Sequence, residues 1–191
     1  KVCNLINHDE SLRVRKGWTN FDSPIKLHQM NPDQCLFALD YYMPPGGLIA
    51  DPFNGRGTTA VCSLYTQRRF IGFEIHEAAS RRTREVIRQH MDAPQDAWKI
   101  IDGCGCSMDY LKDEHEVLDG VFTSPPYYLK AEPYANSEND PRDLCNMSIE
   151  DFDNKIDQMF GNLKRLIKRS DYKKKEFYPM IFVVGTARNS D

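Results

Sequence analysis

The chain has 191 residues, a net charge of −3 and 40% hydrophobic against 28% charged side chains, a balance that excludes a disordered or wholesale polybasic chain and fits one globular domain with generous loops. No apolar run is long enough to span a bilayer and no hydrophobic leader follows a basic start, so a soluble, cytoplasmic protein is expected. The six cysteines lack CxxC pairing, which argues against a zinc site or a disulfide framework and in favour of reduced thiols in core and loops.

Residues 1–23 carry charge without periodicity and read as an N-terminal arm; 24–191 read as one domain. Over 32–42, "PDQCLFALDYY" places Cys35, Leu36, Leu39 and Tyr42 at helical spacing, after Asn31 as a cap and before "PPGG" as a stop. Five short apolar runs follow: "GLIA" (47–50), "RFIGFE" (69–74), "WKII" (98–101), "GVFT" (120–123) and "YPMIFVVG" (178–185). Runs this short, rich in Ile, Val and Phe and separated by helical spans, predict parallel strands buried on both faces. The fold class is therefore α/β, Rossmann-like, with helices on both faces of a mostly parallel sheet.

"GTTAVCSLYTQ" and "EAASRRTREVIRQHM" supply the first two crossover helices. A third opens at Ser148, with Asp151 at the favoured acidic position, and carries an apolar stripe of Ile149, Phe152, Ile156, Met159, Phe160, Leu163, Leu166 and Ile167 that is expected to pack on the sheet. Basic residues cluster at Arg81, Arg82, Arg84 and Arg88, and again from Lys164 to Lys175. Such clusters are usually solvated faces and only in a minority of cases phosphate contacts.

"ADPFNGRGTTA" follows the first strand directly. Gly55 and Gly57 allow a tight turn and a close approach of backbone to a ligand, and the opening turn of the next helix offers amide donors. The absence of Lys-Ser or Lys-Thr after the glycines excludes a P-loop, and the second strand ends in an acid, Glu74, about 20 residues on, where a carboxylate accepts from ribose hydroxyls. That pattern fits a nucleoside-bearing cofactor.

The fourth strand leaves through "TSPPYY". Taken together, "DPFNGRGTT" and "TSPPYY" resemble the cofactor and catalytic motifs of S-adenosylmethionine-dependent DNA amino-methyltransferases. The resemblance extends through "KLHQMNP", "FIGFEI" and "VVGTAR" over roughly residues 24 to 188. It implies a class I methyltransferase fold, incomplete at its carboxyl end, with S-adenosylmethionine as cofactor and DNA as substrate. It also implies a recognition domain or subunit outside the 131–147 segment.

By the same resemblance, His28, Asp51, Pro52, Phe53, Gly55, Gly57, Thr58 and Thr59 surround the methionine part of the cofactor and Glu74 holds the ribose. Where the family has a Gly-Asp-Ser segment at the adenine, this chain reads "IIDGCGCS"; Cys104 stands in the acid's place and Asp102 is the acid nearest to substitute for it. Ser124, Pro125, Pro126 and Tyr127 form the catalytic motif.

The chemistry asks for those residue types. An exocyclic amine is a poor nucleophile because its lone pair is delocalised into the ring. Acceptors at its two N–H bonds, the Ser124 hydroxyl and the Pro125 carbonyl, favour the pyramidal nitrogen reached in the transition state, and the prolines hold them aimed. A base inside a duplex must first be everted, and Tyr127 offers it a stacking face, while Tyr128 packs or lines the wall.

Ser at the first motif position points to N4 of cytosine over N6 of adenine. Methylation of an RNA base or a protein glutamine, where Asn-Pro-Pro-Tyr is more usual, is one alternative. A non-catalytic module that only binds cofactor or nucleic acid is another. No Pro-Cys motif supports methylation at ring carbon, and His8, His76, His90 and His115 lack convergent acids at metal spacing.

Overall fold

The computed structural model describes residues 30–126, 140–171, 173–174 and 177–184. Its elements are α1 (Pro32–Tyr42), β1 (Leu48–Asp51), α2 (Thr58–Tyr65), β2 (Arg69–Glu74), α3 (Glu77–His90), β3 (Trp98–Asp102), β4 (Gly120–Thr123), α4 (Ile149–Leu166) and β5 (Met180–Phe182). The strands pair in the order β3-β2-β1-β4-β5, all parallel.

The helix ends follow local chemistry. The Asn31 side chain accepts from the Asp33 amide at 2.9 Å, with Pro32 occupying the first helical position where no N–H is needed. At α4 the Ser148 hydroxyl accepts from the Asp151 amide at 3.1 Å and donates to the Asp151 carboxylate at 2.7 Å.

Successive strand residues point to opposite faces, so each strand feeds two cores. Ile49, Phe70, Ile100 and Phe122 face α1 and α2 through Leu36, Leu39, Ala60 and Leu64. Ala50, Ile71, Phe73 and Val121 face α4 through Met159, Leu163 and Leu166. Both faces are covered, which is why the strands read as continuous apolar runs rather than alternating ones.

The α4 stripe is only partly used. Met159, Leu163 and Leu166 are buried, but Ile149 is 60% and Phe160 42% exposed. The fifth strand is also shorter than the apolar run predicts, at three residues, and it forms the sheet margin. Phe160 lies on that margin, its ring 5.2 Å from Phe182. No helix among the described residues is long and apolar enough to cross a membrane.

Several residues of the basic clusters have partners within the chain. On α3, Arg81 pairs with Glu77, Arg82 with Glu85 and Arg84 with Asp102, and Arg88 lies over the Trp98 ring. In the second cluster Lys168 pairs with Asp119 at 2.6 Å, Arg169 with Glu116 at 2.7 Å, and Arg165 donates to the Leu111 carbonyl at 3.0 Å.

From β1 the chain steps outward to β2 and β3, then crosses back to β4 on the other side of β1. At such a switch point the carboxyl-end loops diverge and leave a crevice.

Candidate functional site

One cavity occupies that crevice, enclosing about 650 Å³ of space that is partly open to solvent. Loops from four strands wall it: Pro52, Phe53 and Gly55 after β1, Ile75 and His76 after β2, residues 103–106 after β3, and Ser124 and Pro126 after β4. Glu74 at the end of β2 and the 142–144 segment complete the lining. The glycine turn and the proline corner therefore open onto one space.

The two glycines do different work. Gly55 takes φ +51°, and its amide donates to Glu74 Oε2 at 2.8 Å; a Cβ there would meet only the Phe53 carbonyl, at 3.8 Å. Gly57, at φ +78°, caps α2, and a Cβ there would stand 2.6 Å from the Thr83 methyl. Its smallness lets α2 and α3 approach, and it does not line the cavity. The turn between them is held by Asn54, whose amide donates to the Phe73 carbonyl at 2.9 Å and whose side chain donates to Thr83 Oγ1 at 3.3 Å.

Glu74 is 7% exposed, with both carboxylate oxygens engaged, Oε2 by Gly55 and Oε1 by the His76 amide at 2.9 Å. Burial pushes its pKa up, opposed by those amides and by His76. The carboxylate keeps free lone pairs on a cavity wall, the requirement for accepting from a hydroxyl.

Several residues expected at the ligand do not line this cavity. Asp51 is 1% exposed, and its Oδ1 accepts from the Phe53 amide at 2.9 Å and from the Thr123 hydroxyl at 2.6 Å. It ties the end of β1 to the end of β4. Burial raises its pKa against the Thr123 and Thr59 hydroxyls and the Phe53 amide. Thr58 and Thr59 are buried within the first turn of α2. Asp102 turns toward α3, accepting from Ser80 and, at 2.6 Å, from Arg84. Although burial works to raise its pKa, those two hydrogen bonds hold it below the usual range.

Cys104, not Asp102, is on the cavity wall. Gly105 beside it leaves no room for a side chain, because a Cβ would overlap the Pro52 carbonyl. The loop is pinned from behind by Asn162 of α4, which donates to the Cys106 and Ser107 carbonyls at 2.9 and 3.0 Å.

At the end of β4 the Ser124 hydroxyl donates to the Val183 carbonyl at 3.2 Å. With its proton committed there, the lone pairs of Oγ are what the hydroxyl has left to offer. His28 and Tyr127 lie outside the described residues, as does Tyr128.

Sequence reasoning missed Ile75, His76 and the 142–144 segment. The first two directly follow the β2 acid, a position that could have flagged them. Arg142 pairs with Asp140 at 2.7 Å and reaches the Ile75 carbonyl at 3.4 Å. Asp143 accepts from the Cys145 amide at 3.0 Å through Oδ1. Its buried Oδ2 has no hydrogen bond, with His76 Nε2 3.9 Å away. No group of three His, Cys, Asp or Glu among the described residues is placed to hold a metal ion.

Residues 29–85 match the family described as DNA methylase (N6_N4_Mtase). No curated protein matches the chain. Among solved structures it is similar to PH0851, at TM-score 0.51 and 12% identity over 75% of this chain and 32% of that one. TrmN from Thermus thermophilus aligns at TM-score 0.44 and 18% identity over 59% of this chain and 32% of that one. A type I restriction-modification system methyltransferase subunit from Streptococcus thermophilus aligns at 0.46 and 18%, over 69% and 29%. The chain thus spans about a third of the length of these structures. The five-stranded parallel sheet with its flanking helices is an α/β fold, shared with PH0851.

Proposed function

We propose that the protein transfers a methyl group from S-adenosylmethionine to an exocyclic amine of an everted DNA base, with N4 of cytosine preferred to N6 of adenine. The observation that carries this reading is the shared cavity: Gly55 and Glu74 on one flank, Ser124 and Pro126 on the other.

The residues present fit the cofactor. A buried acid with spare lone pairs stands on the wall at Glu74, the side of Gly55 that a Cβ would occupy is open, and Asp143 brings a buried carboxylate oxygen lacking a hydrogen bond. Glu74 would hold the ribose, the Phe53–Gly55 turn the methionine part, and the loop bearing Cys104 the adenine. S-adenosylmethionine, when bound, supplies an electrophilic methyl group.

The chain's own residues prepare the acceptor. Ser124 Oγ, its proton committed to Val183, accepts from one N–H of the target amine and so favours the pyramidal nitrogen whose lone pair is localised. Pro125 and Pro126 stiffen the corner that presents it. Tyr127 supplies the face on which the base stacks, offsetting part of the unstacking cost.

The test is transfer of labelled methyl from S-adenosylmethionine to DNA, RNA and protein pools, followed by digestion of the labelled DNA to nucleosides. N4-methyl-2′-deoxycytidine in the DNA digest is expected. Label confined to RNA or protein would overturn the DNA substrate, and cofactor binding without transfer to any pool would leave only a binding module.

A further inference from the structure

Two thiols meet in the wall of the cavity. Cys104 is half-buried and Cys106 fully buried directly behind it, and both line the same space as Gly55 and Ser124. Their spacing is Cys-Gly-Cys, and the intervening glycine lies against the Pro52 carbonyl, so the two side chains are brought to one side of a tight turn. Asn162 fixes that turn through the carbonyls of Cys106 and Ser107.

The setting of Cys104 is that of a nucleophile. The Cys106 thiol is its hydrogen-bond partner, and the amides of Cys106 and Ser107 also donate to its sulfur, with Lys155 adding positive charge nearby. Donors converging on a partly exposed sulfur stabilise thiolate, the reactive form. Led by the Cys106 hydrogen bond and in spite of burial, they draw the Cys104 pKa down to about 5. Cys106 shifts the opposite way, because its proton is held against Cys104 and it is buried.

A second cysteine pair provides an internal contrast. Cys35 and Cys62 also neighbour one another, but they are 0% and 3% exposed in the core under α1 and α2. Burial pushes the Cys35 thiol up, and neither residue lines the cavity.

We propose that Cys104 and Cys106 form a dithiol modification site, which a peroxide oxidises to a disulfide that closes the cofactor wall. The Cys104 thiolate attacks one peroxide oxygen; the O–O bond breaks, hydroxide leaves, and Cys104 becomes a sulfenic acid. The Cys106 sulfur then attacks the Cys104 sulfur; the S–O bond breaks and the departing oxygen leaves as water with the Cys106 proton. The sulfurs together lose two electrons and the peroxide gains them. Bond formation draws the sulfurs from hydrogen-bond contact to about 2.05 Å, contracting the 104–106 segment that forms one wall.

The effect on cofactor binding rests on the proposed function, whereas the oxidation itself does not. The full chain, treated with one equivalent of hydrogen peroxide, is digested with trypsin, and cleavage after Lys99 and Lys112 releases residues 100–112 with both thiols in one peptide. That peptide is expected to lose two hydrogen atoms, and a thiol reductant restores them. Cys106→Ser should instead leave an added oxygen on Cys104 and no disulfide.

Binding of S-adenosylhomocysteine, measured by calorimetry, is expected to fall about tenfold on oxidation, or about 1.4 kcal/mol, and to recover on reduction. A peptide that stays reduced, or oxidation appearing between Cys35 and Cys62, overturns the site. A disulfide with unchanged affinity overturns its control of the cavity. No affinity for S-adenosylhomocysteine in the reduced protein refutes the cofactor reading instead, and leaves the mass result to decide the thiol chemistry.

Discussion

The glycine turn gives the sharpest test of the geometry, because two glycines two residues apart are predicted to fail in different ways. Both have positive φ, +51° at Gly55 and +78° at Gly57, so alanine at either position carries left-handed strain of about 1–2 kcal/mol. Only at 57 does the new Cβ collide, at 2.6 Å from Thr83 Cγ2 and 2.7 Å from Thr83 Oγ1, and forced overpacking of that kind adds about 1–3 kcal/mol. Gly57→Ala should therefore cost about 2–5 kcal/mol in urea unfolding and Gly55→Ala about 1–2 kcal/mol. Thr83→Ala removes the two nearest contacting atoms but keeps Cβ at 3.1 Å; apart from losing the bonds to Asn54 and to the Ala79 carbonyl, worth about 1 kcal/mol each, it relieves most of the overpacking penalty of Gly57→Ala. A coupling of about 1–3 kcal/mol between positions 57 and 83 is expected. Equal destabilisation by the two alanines, or additivity of Gly57→Ala with Thr83→Ala, would refute the packing role given to Gly57.

Ser124→Ala should lower methyl transfer by about 10²–10³, the usual effect of deleting one transition-state hydrogen-bonding group, with S-adenosylhomocysteine affinity unchanged in calorimetry; a parallel loss of affinity would contradict its assignment to the amine. Asn162→Ala removes two bonds to the 103–107 loop, worth about 1–3 kcal/mol together, and should weaken S-adenosylhomocysteine binding while leaving Ser124-dependent chemistry in place at saturation. Thr123→Val strips the buried Asp51 carboxylate of its 2.6 Å donor, costing about 1.5–3 kcal/mol. Because burial already holds the Asp51 pKa above its unfolded value, and the variant raises it further, the loss is smallest below the unfolded pKa of about 3.9 and grows as pH rises through the folded one; a pH-independent loss in denaturation curves would count against it. Iodoacetamide should label the 100–112 peptide with a rate that rises through about pH 5, where the Cys104 thiol loses its proton to a site organised first by Cys106. Cys145, pushed up to about 12 mainly by burial, should label slowly throughout, and a Cys104 midpoint near the ordinary thiol value of about 8.5 would remove the basis for its reactivity.

The elements were legible because each has a local cause. Asn31 and Ser148 cap the helices they precede, and 70–74 and 120–123 are buried at every residue because both sheet faces are covered. The site was legible only as far as the rule that ligands gather at the carboxyl ends of parallel strands, which brings Gly55, Glu74 and Ser124 to one cavity. What the motifs could not convey is which side of a loop each residue presents. Asp102 has helix α3 within reach and takes Ser80 and Arg84 as partners, so the wall passes to Cys104, two residues further on. Arg142 and Asp143 enter from a segment whose path no periodicity records. The width of the α4 stripe overstated its burial because β5 is the outermost strand among the described residues and Phe160 lies at that margin.

Asp51, which the sequence places near the ligand, braces the two loops that wall the cavity. Asp51 accepts from the amide that opens the glycine turn and from the hydroxyl of Thr123, the residue before Ser124. Thr123 also accepts from the Val183 amide through its carbonyl at 2.8 Å, and Val183 returns a carbonyl to Ser124. One continuous chain of hydrogen bonds therefore runs from the glycine turn through Asp51, Thr123 and Val183 to the Ser124 hydroxyl. A methyl donor and an amine held by separate loops react efficiently only if the loops keep their spacing to within a fraction of an ångström. Burying a carboxylate is costly unless it is bonded; the two bonds to Asp51 Oδ1 also tie the two halves of the cavity together, while its buried Oδ2 has no hydrogen-bond partner.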